Sequence, residues 1–266
     1  MIDMHSHTYF SPDSLAEPIK NIEVALSKDI KVLAFTDHVE HFAEENIHEH
    51  VFNVDDYFKA LLEFQEKFKG QIDLLIGVEI GLGEQISQWT DEFTKEHPFD
   101  FIIGSIHTVF EEKSTWNFQD LNQNPSKWYK KYYETMLTCV QKTKSFHVLG
   151  HIDYIDRYIH NKEDIIPYSE YADIIDEILK ELNRSNRGIE YNTAGFRNNL
   201  SHGNPKDSIL KRYLELGGEI LTISSDAHTS HNIGYGIKEA QDHLKNLGFS
   251  KLSIFKKKKL EFLPLD

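Results

Sequence analysis

The chain has 266 residues, 39% of them hydrophobic and 27% charged, which suits one globular domain with a well-buried core and argues against disorder. Lys and Arg total 29 against 43 Asp and Glu, a formal charge of −14, so the long-range field repels polyanions and makes nucleic acid a poor partner. The one cysteine, Cys139, excludes an internal disulfide. No apolar stretch is long enough to span a bilayer and no basic segment leads into an apolar run at the start, so no membrane partner and a cytoplasmic address are expected.

Short apolar runs alternate with amphipathic stretches along the whole chain, the pattern of repeated β-α units around a mostly parallel sheet. Strands are expected at residues 1–4, 31–35, 72–78, 99–105, 146–149, 188–192 and 219–224. Between them, Pro18 opens one helix, and helices over 54–69, 206–216 and 237–247 are stopped by Gly70, Gly217-Gly218 and Gly248. Cys139 falls in a helical stretch over 128–142 and reads as a small core residue. Neither repeats nor a linker divide the chain, so a single domain over 1–266 is expected. The basic run Lys256-Lys257-Lys258-Lys259 reads as a solvated terminal hairpin or tail.

The chemistry lies at the strand ends. The first strand runs into His5-Ser6-His7, the second into Thr36-Asp37-His38, the third into Glu79, and the fourth into His107. The fifth runs into His151 and Asp153, the seventh into Asp226 and His228. In a parallel α/β barrel these ends converge on one face, where such folds place their active sites. A His-x-His pair on a strand points both rings to one side, as two ligands of one ion require. Each residue alone could be a buried core histidine or a capping carboxylate; their joint occurrence at strand ends points to metal. By contrast His41, His48 and His50 fall in an acidic loop over 40–50, outside any strand end, and His97 and His243 read as ordinary helix residues.

Counting His5, His7, Asp13, His38, Glu79, His107, His151, Asp226 and His228 gives more ligands than one first-row ion accepts, so two or three divalent transition metals are expected. Mixed imidazole and carboxylate donors suit Zn, Fe or Mn without choosing among them. A carboxylate such as Glu79 can bridge two ions, the arrangement that activates a water and holds both ends of an in-line displacement. A metal site acting on an oxyanion would also call for guanidinium forks. Arg157 and Arg197 follow strand ends, and His202 lies near the second of these loops.

In this order, His5-Ser6-His7, Thr36-Asp37-His38, Gly77-Val78-Glu79, Gly104-Ser105-Ile106-His107, Gly150-His151-Ile152-Asp153 and Ser225-Asp226-Ala227-His228 resemble the polymerase and histidinol phosphatase (PHP) superfamily. Within it the chain resembles the histidinol-phosphatase branch. The resemblance implies a distorted (β/α)7 TIM-like barrel holding three metals at the C-terminal ends of its strands. His5, His7, Glu79 and Asp226 would hold the first; Glu79, His107 and His151 the second; Asp13, His38 and His228 the third. Asp13 departs from relatives that carry histidine there.

The resemblance further implies attack on phosphorus by a metal-bridging hydroxide, with Glu79 and Asp226 as catalytic residues, Asp226 or a metal-bound water as proton donor, and Arg157 and Arg197 on the substrate phosphate. It implies hydrolysis of L-histidinol phosphate, a small-molecule step of histidine biosynthesis. Asp153, Asp156 and the 40–49 loop are expected to bind the cationic half of that substrate. Alternatives are a phosphodiesterase or nuclease on short oligonucleotides and a protein-tyrosine phosphatase. A metal-stabilised interaction domain without turnover is a further one. Acidity counts against the nuclease, and the intact ligand set against the last.

Overall fold

The computed structural model describes residues 1–41, 50–111, 114–115 and 118–265. Its strands in chain order are β1 (Ile2–Asp3), β2 (Val32–Phe35), β3 (His38–Val39), β4 (Asp73–Gly81), β5 (Phe101–Ser105), β6 (Phe110–Glu111), β7 (Ser114–Thr115), β8 (Val148–Leu149), β9 (Gly188–Asn192) and β10 (Leu221–Ser224). Pairing runs β1-β2-β4-β5-β8-β9-β10, parallel throughout, while β6 and β7 form a separate antiparallel hairpin. The ring closes between its first and last members: Met4 N donates to the Ile223 carbonyl at 3.0 Å, Asp226 N to that of His5 at 2.9 Å, and His7 N to that of Ala227 at 2.9 Å. The result is the expected distorted TIM-like barrel. Its closing seam lays the His5-Ser6-His7 and Ser225-Asp226-Ala227-His228 segments side by side.

The strands are buried on both faces and nearly all apolar, as parallel strands covered by helices must be. The helices are α1 (Pro18–Ser27), α2 (Val54–Lys67), α3 (Ser87–Glu96), α4 (Phe118–Gln123), α5 (Pro125–Lys142), α6 (Ala172–Arg184), α7 (Ala194–Arg197), α8 (Asp207–Glu215) and α9 (Ile237–Leu247). Local chemistry sets their ends. The Asn53 side chain accepts from Asp56 N to start α2, Pro125 opens α5, and the left-handed Gly248 ends α9. Along α5, Trp128, Tyr129, Tyr132, Tyr133, Met136, Cys139 and Val140 form the buried stripe. Cys139 is thus a core residue, its thiol pushed up to about 12 by burial.

β9 falls where the sequence places it, and β1, β2, β5 and β10 lose one or two residues at their ends; two other strands change in extent. The third strand continues through Glu79 to Gly81 because the short β3 pairs with it, His38 opposite Glu79. The fifth shrinks to Val148–Leu149.

The lysine run closes a C-terminal hairpin of β11 (Lys251–Lys256) and β12 (Lys259–Pro264), as expected for that segment. Its turn residues Lys257 and Lys258 have φ of 51° and 63°, the left-handed region a two-residue hairpin turn demands and non-glycine residues disfavour. Contacts to the barrel offset this cost. Lys257 N donates to Asp100 Oδ1 at 2.8 Å, and Lys258 Nζ to the carbonyls of Thr94 and His97 at 2.7 and 3.1 Å. Lys258 thereby places a cation on the orphan carbonyls at the C-terminus of α3. Lys258→Ala is expected to lower stability by about 1 kcal/mol and the Tm by roughly 2–4 °C, read by thermal denaturation, with kcat/KM unchanged.

Candidate metal centre

The strand ends deliver their side chains to one point. Glu79 projects from β4 with 1% exposure, and its two carboxylate oxygens face different partners. Oε2 lies 3.0 Å from His5 Nε2, 3.5 Å from His7 Nε2 and 3.1 Å from His38 Nδ1. Oε1 lies 2.9 Å from His151 Nε2 and 3.2 Å from His107 Nε2, and accepts from Ser105 Oγ at 2.6 Å. Across the closing seam, Asp226 Oδ1 is 3.3 Å from His7 Nε2 and 3.8 Å from His5 Nε2. Asp226 is held there in a left-handed conformation, φ 52°. Asp13 Oδ2 is 3.1 Å from His228 Nε2 and 3.7 Å from His38 Nε2.

This arrangement fits metal. His5 Nε2 and His7 Nε2 approach to 3.0 Å, a spacing two ring nitrogens adopt when each reaches the same ion at about 2.0–2.1 Å. His38 Nδ1 is buried with no hydrogen-bond partner although a carboxylate oxygen is close by, the position of a donor atom waiting for a cation. Three ligand groupings emerge: His5, His7 and Glu79; His38, Glu79 and His107; and His7, His38 and His228. All nine expected ligands are brought together. His38 differs from the expected assignment in facing both Glu79 and the Asp13–His228 group, because its pairing on β3 sets it beside Glu79.

The charges of these side chains compensate one another. Burial would raise Glu79, but His5, His107 and His38 hold it well below the usual carboxylate range, and Asp226 is lowered likewise against burial by His5, His7 and His228. Burial would lower His38, yet Glu79 and Asp13 push it up to about 10; His5 and His107 are also raised by their carboxylates against burial. Only His7 is driven down, by burial and by the neighbouring His228 and His38. Cations bound here would displace protons from these rings, so metal uptake should weaken as pH falls.

Above this floor lies a cavity of about 410 Å³ lined by carboxylate and imidazole ligands together with Tyr154, Arg157, Tyr158, Arg197, Asn198 and Asn232. Both expected arginines therefore reach the site, in different states. Arg157 stacks on Tyr154 and Tyr158, its guanidinium carbon 4.8 and 5.1 Å from the ring centroids, and among the described residues it forms no ion pair or hydrogen bond through its guanidinium. Arg197 donates to the carbonyls of Ser225 and Asp226 at 2.7 and 2.8 Å. It anchors the strained Asp226 backbone as well as facing the cavity.

His202 does not join the lining. Its Nδ1 is tied to the Gly203 carbonyl at 2.8 Å and its Nε2 stands 3.6 Å from Asp156, whereas a substrate contact was expected of it. Asp153 and Asp156, expected to bind the amine, belong to the same network. Asp153 accepts from Asn204 Nδ2 at 2.5 Å and Lys206 N at 2.8 Å, and Asp156 from Lys206 Nζ at 2.6 Å and Tyr129 Oη at 2.5 Å. Both buried carboxylates thus have partners within the protein, the half-buried Lys206 among them. Of the acidic loop, residues 42–49, which include His48, lie outside the described residues. His41 stacks on Trp89 and His50 meets the Phe10 carbonyl.

Sequence reasoning missed four contributors. Glu40 places Oε1 2.5 Å from His107 Nδ1, in space left by Gly81, where any Cβ would strike its carboxylate. Ser105 sits on Glu79, and Gly150 leaves room for its hydroxyl. Glu190 and Asn192, one strand period apart on β9, support His5 and Asp226. The available signal was a glutamate alternating with an asparagine inside a short strand otherwise buried on both faces.

Comparison with known proteins agrees with this geometry. A family model described as PHP domain matches residues 3–194. The chain is 32% identical to a probable histidinol-phosphatase of Clostridium acetobutylicum, covering 98% of this chain and 99% of that one. It is 35% identical to a probable histidinol-phosphatase of Thermotoga maritima, covering 97% of each. The fold superimposes with a TM-score of 0.86, at 27% identity and 98% coverage of both chains, on the crystal structure of histidinol phosphate phosphatase (HisK) from Lactococcus lactis complexed with zinc, L-histidinol and phosphate. With its ordered ligands converging on Glu79 at the mouth of a parallel barrel, the chain belongs to the PHP domain family.

Proposed function

We propose that this chain is a histidinol-phosphatase, hydrolysing L-histidinol phosphate to L-histidinol and inorganic phosphate on a centre of two or three divalent metals, zinc among them. The observation that carries the reading is Glu79, whose two oxygens each face a separate set of imidazoles beneath a cavity edged by two arginines. Likeness to full-length histidinol-phosphatases and to a zinc, histidinol and phosphate complex supports the substrate. Ions held by these ligands would supply Lewis-acid stabilisation of the phosphoryl oxygens and a water acidic enough to attack phosphorus.

The chain's own residues do the rest. Arg157 offers an unpaired guanidinium for the peripheral phosphate oxygens. Arg197 keeps Asp226 turned toward His7, and Ser105 orients Glu79. The whole of 1–266 acts as one catalytic unit in this reading, since the C-terminal hairpin contributes Leu252, Ile254 and Phe255 to the same apolar core as β1 and β2. No helix of the described residues is long and apolar enough to cross a membrane; a cytoplasmic address is part of this proposal.

The decisive experiment measures phosphate release from histidinol phosphate, phosphotyrosine and a dinucleotide, before and after chelation. Histidinol phosphate should be hydrolysed with the highest kcat/KM, chelation should abolish turnover, and added zinc or manganese should restore it. Equal rates on all three substrates would leave only a general phosphatase, and full activity in metal-free protein would remove the metal mechanism.

A further inference from the structure

The proposed mechanism uses Glu79 and Asp226, yet another carboxylate beside them is fully enclosed. Glu190, in the middle of β9, has no exposed surface and meets donors from three other strand ends. Its Oε1 accepts from Ser224 Oγ at 2.6 Å and faces His5 Nδ1 at 2.7 Å. Its Oε2 accepts from His151 N at 2.9 Å and Asn192 Nδ2 at 3.3 Å. Asn192 Nδ2 also donates to Asp226 Oδ2 at 3.1 Å. One buried anion thus spans the elements that carry His5, His151 and Asp226.

Tautomer follows from this geometry. A carboxylate only accepts, so with Glu190 facing Nδ1 and Glu79 facing Nε2 both nitrogens of His5 carry a proton. A cation bound beside Glu79 Oε2 would displace the Nε2 proton and leave Nε2 with its lone pair, while Glu190 keeps the proton on Nδ1. That lone pair is aimed at the point shared by Glu79 Oε2 and His7 Nε2, each 3.0 Å away. We infer that Glu190 is a positioning residue, fixing His5 as its Nδ1–H form so that Nε2 is the atom presented to a divalent cation. This inference rests on the metal reading of the site and adds a residue to it.

Glu190→Gln makes the idea testable, because the amide must choose a side. An NH2 group in place of Oε2 would confront the His151 N–H and the Asn192 amide, both donors, and Asn192 cannot turn over without losing Asp226 and the Ala194 N–H held by its Oδ1. In place of Oε1 it meets Ser224, whose hydroxyl can accept, and His5, which can accept at Nδ1 only by moving its proton to Nε2. The variant therefore keeps the shape of the site and puts a proton on the ligand atom.

Zinc affinity by competition with a chelator, and 15N-histidine NMR spectra of the zinc-loaded protein with His5 assigned by its loss in His5→Ala, provide the test. Wild type should show a hydrogen-bonded, slowly exchanging Nδ1 proton on His5. Glu190→Gln should bind zinc about 10–100-fold more weakly and carry the proton on Nε2, whereas Glu190→Asp, still an anion, should recover part of the affinity. Unchanged affinity in Glu190→Gln overturns the inference. If that variant does not fold, the wild-type spectrum decides alone: a proton on His5 Nε2 in zinc-loaded protein overturns it while leaving the metal centre intact. A wild type that holds no zinc would remove the metal reading and this inference together.

Discussion

Glu79→Ala is expected to lower kcat/KM for histidinol phosphate by on the order of a thousandfold or more, a loss of ~4 kcal/mol of transition-state stabilisation. The size follows from position. Glu79 touches both sets of imidazoles, so its removal would deprive two candidate ion positions of their shared anion and leave His5, His38 and His107 facing each other across a buried gap. Bound metal, measured by elemental analysis after gel filtration, should fall with activity. Glu79→Gln should do nearly the same, since an amide nitrogen has no lone pair to give. His50→Ala is the control: its ring contacts the Phe10 carbonyl and no ligand, so metal content and kcat should stay within a few fold of wild type. A Glu79→Ala protein with full metal and near-normal turnover would refute the bridge.

Arg157→Ala is expected to lower kcat/KM by roughly ten- to a hundredfold, or about 1.5–3 kcal/mol, with bound metal unchanged. The guanidinium is pre-set by two tyrosine rings, faces the cavity and forms no ion pair or hydrogen bond among the described residues, so its hydrogen-bonding capacity is free for a phosphate dianion. Arg157→Lys should recover only part, because a point charge cannot reproduce the planar fork. Arg197→Ala should behave differently. Its two bonds to the Ser225 and Asp226 carbonyls tie it to a metal ligand in a left-handed conformation, so metal content should drop along with kcat/KM. Identical metal loss in both alanine variants would show that Arg157 too is structural.

The division of labour between arginines separates what could be read from the sequence from what could not. The ligands were legible because each follows an apolar run, and a parallel barrel sends every such end to one face; His5, His38, Glu79, His107, His151 and Asp226 needed only the strand periodicity and the direction of the chain. The C-terminal hairpin was legible only in part: the lysine run reads as a solvated hairpin or tail, but the strands at 251–256 and 259–264 are not among those the sequence suggested. Which oxygen of Glu79 faces which histidine was not legible, since it depends on β3 pairing alongside β4 and on the seam that joins β1 to β10.

Supporting residues were hidden more deeply. Glu190 and Glu40 act on rings far away in the chain, and nothing near either in sequence says that a barrel wall brings His5 or His107 within 3 Å. The partners of Asp153 and Asp156 were hidden for the same reason. Their place after a strand end is visible locally, but Lys206, some fifty residues later in the chain, donates its backbone N to Asp153 and its ammonium to Asp156. Local pattern determined where strands end and what chemistry those ends carry, because alternation and burial are properties of short segments. Only the closed barrel decided which carboxylates stay available to a ligand and which are neutralised by a neighbour, because charge compensation in a buried site is settled by contacts between distant segments.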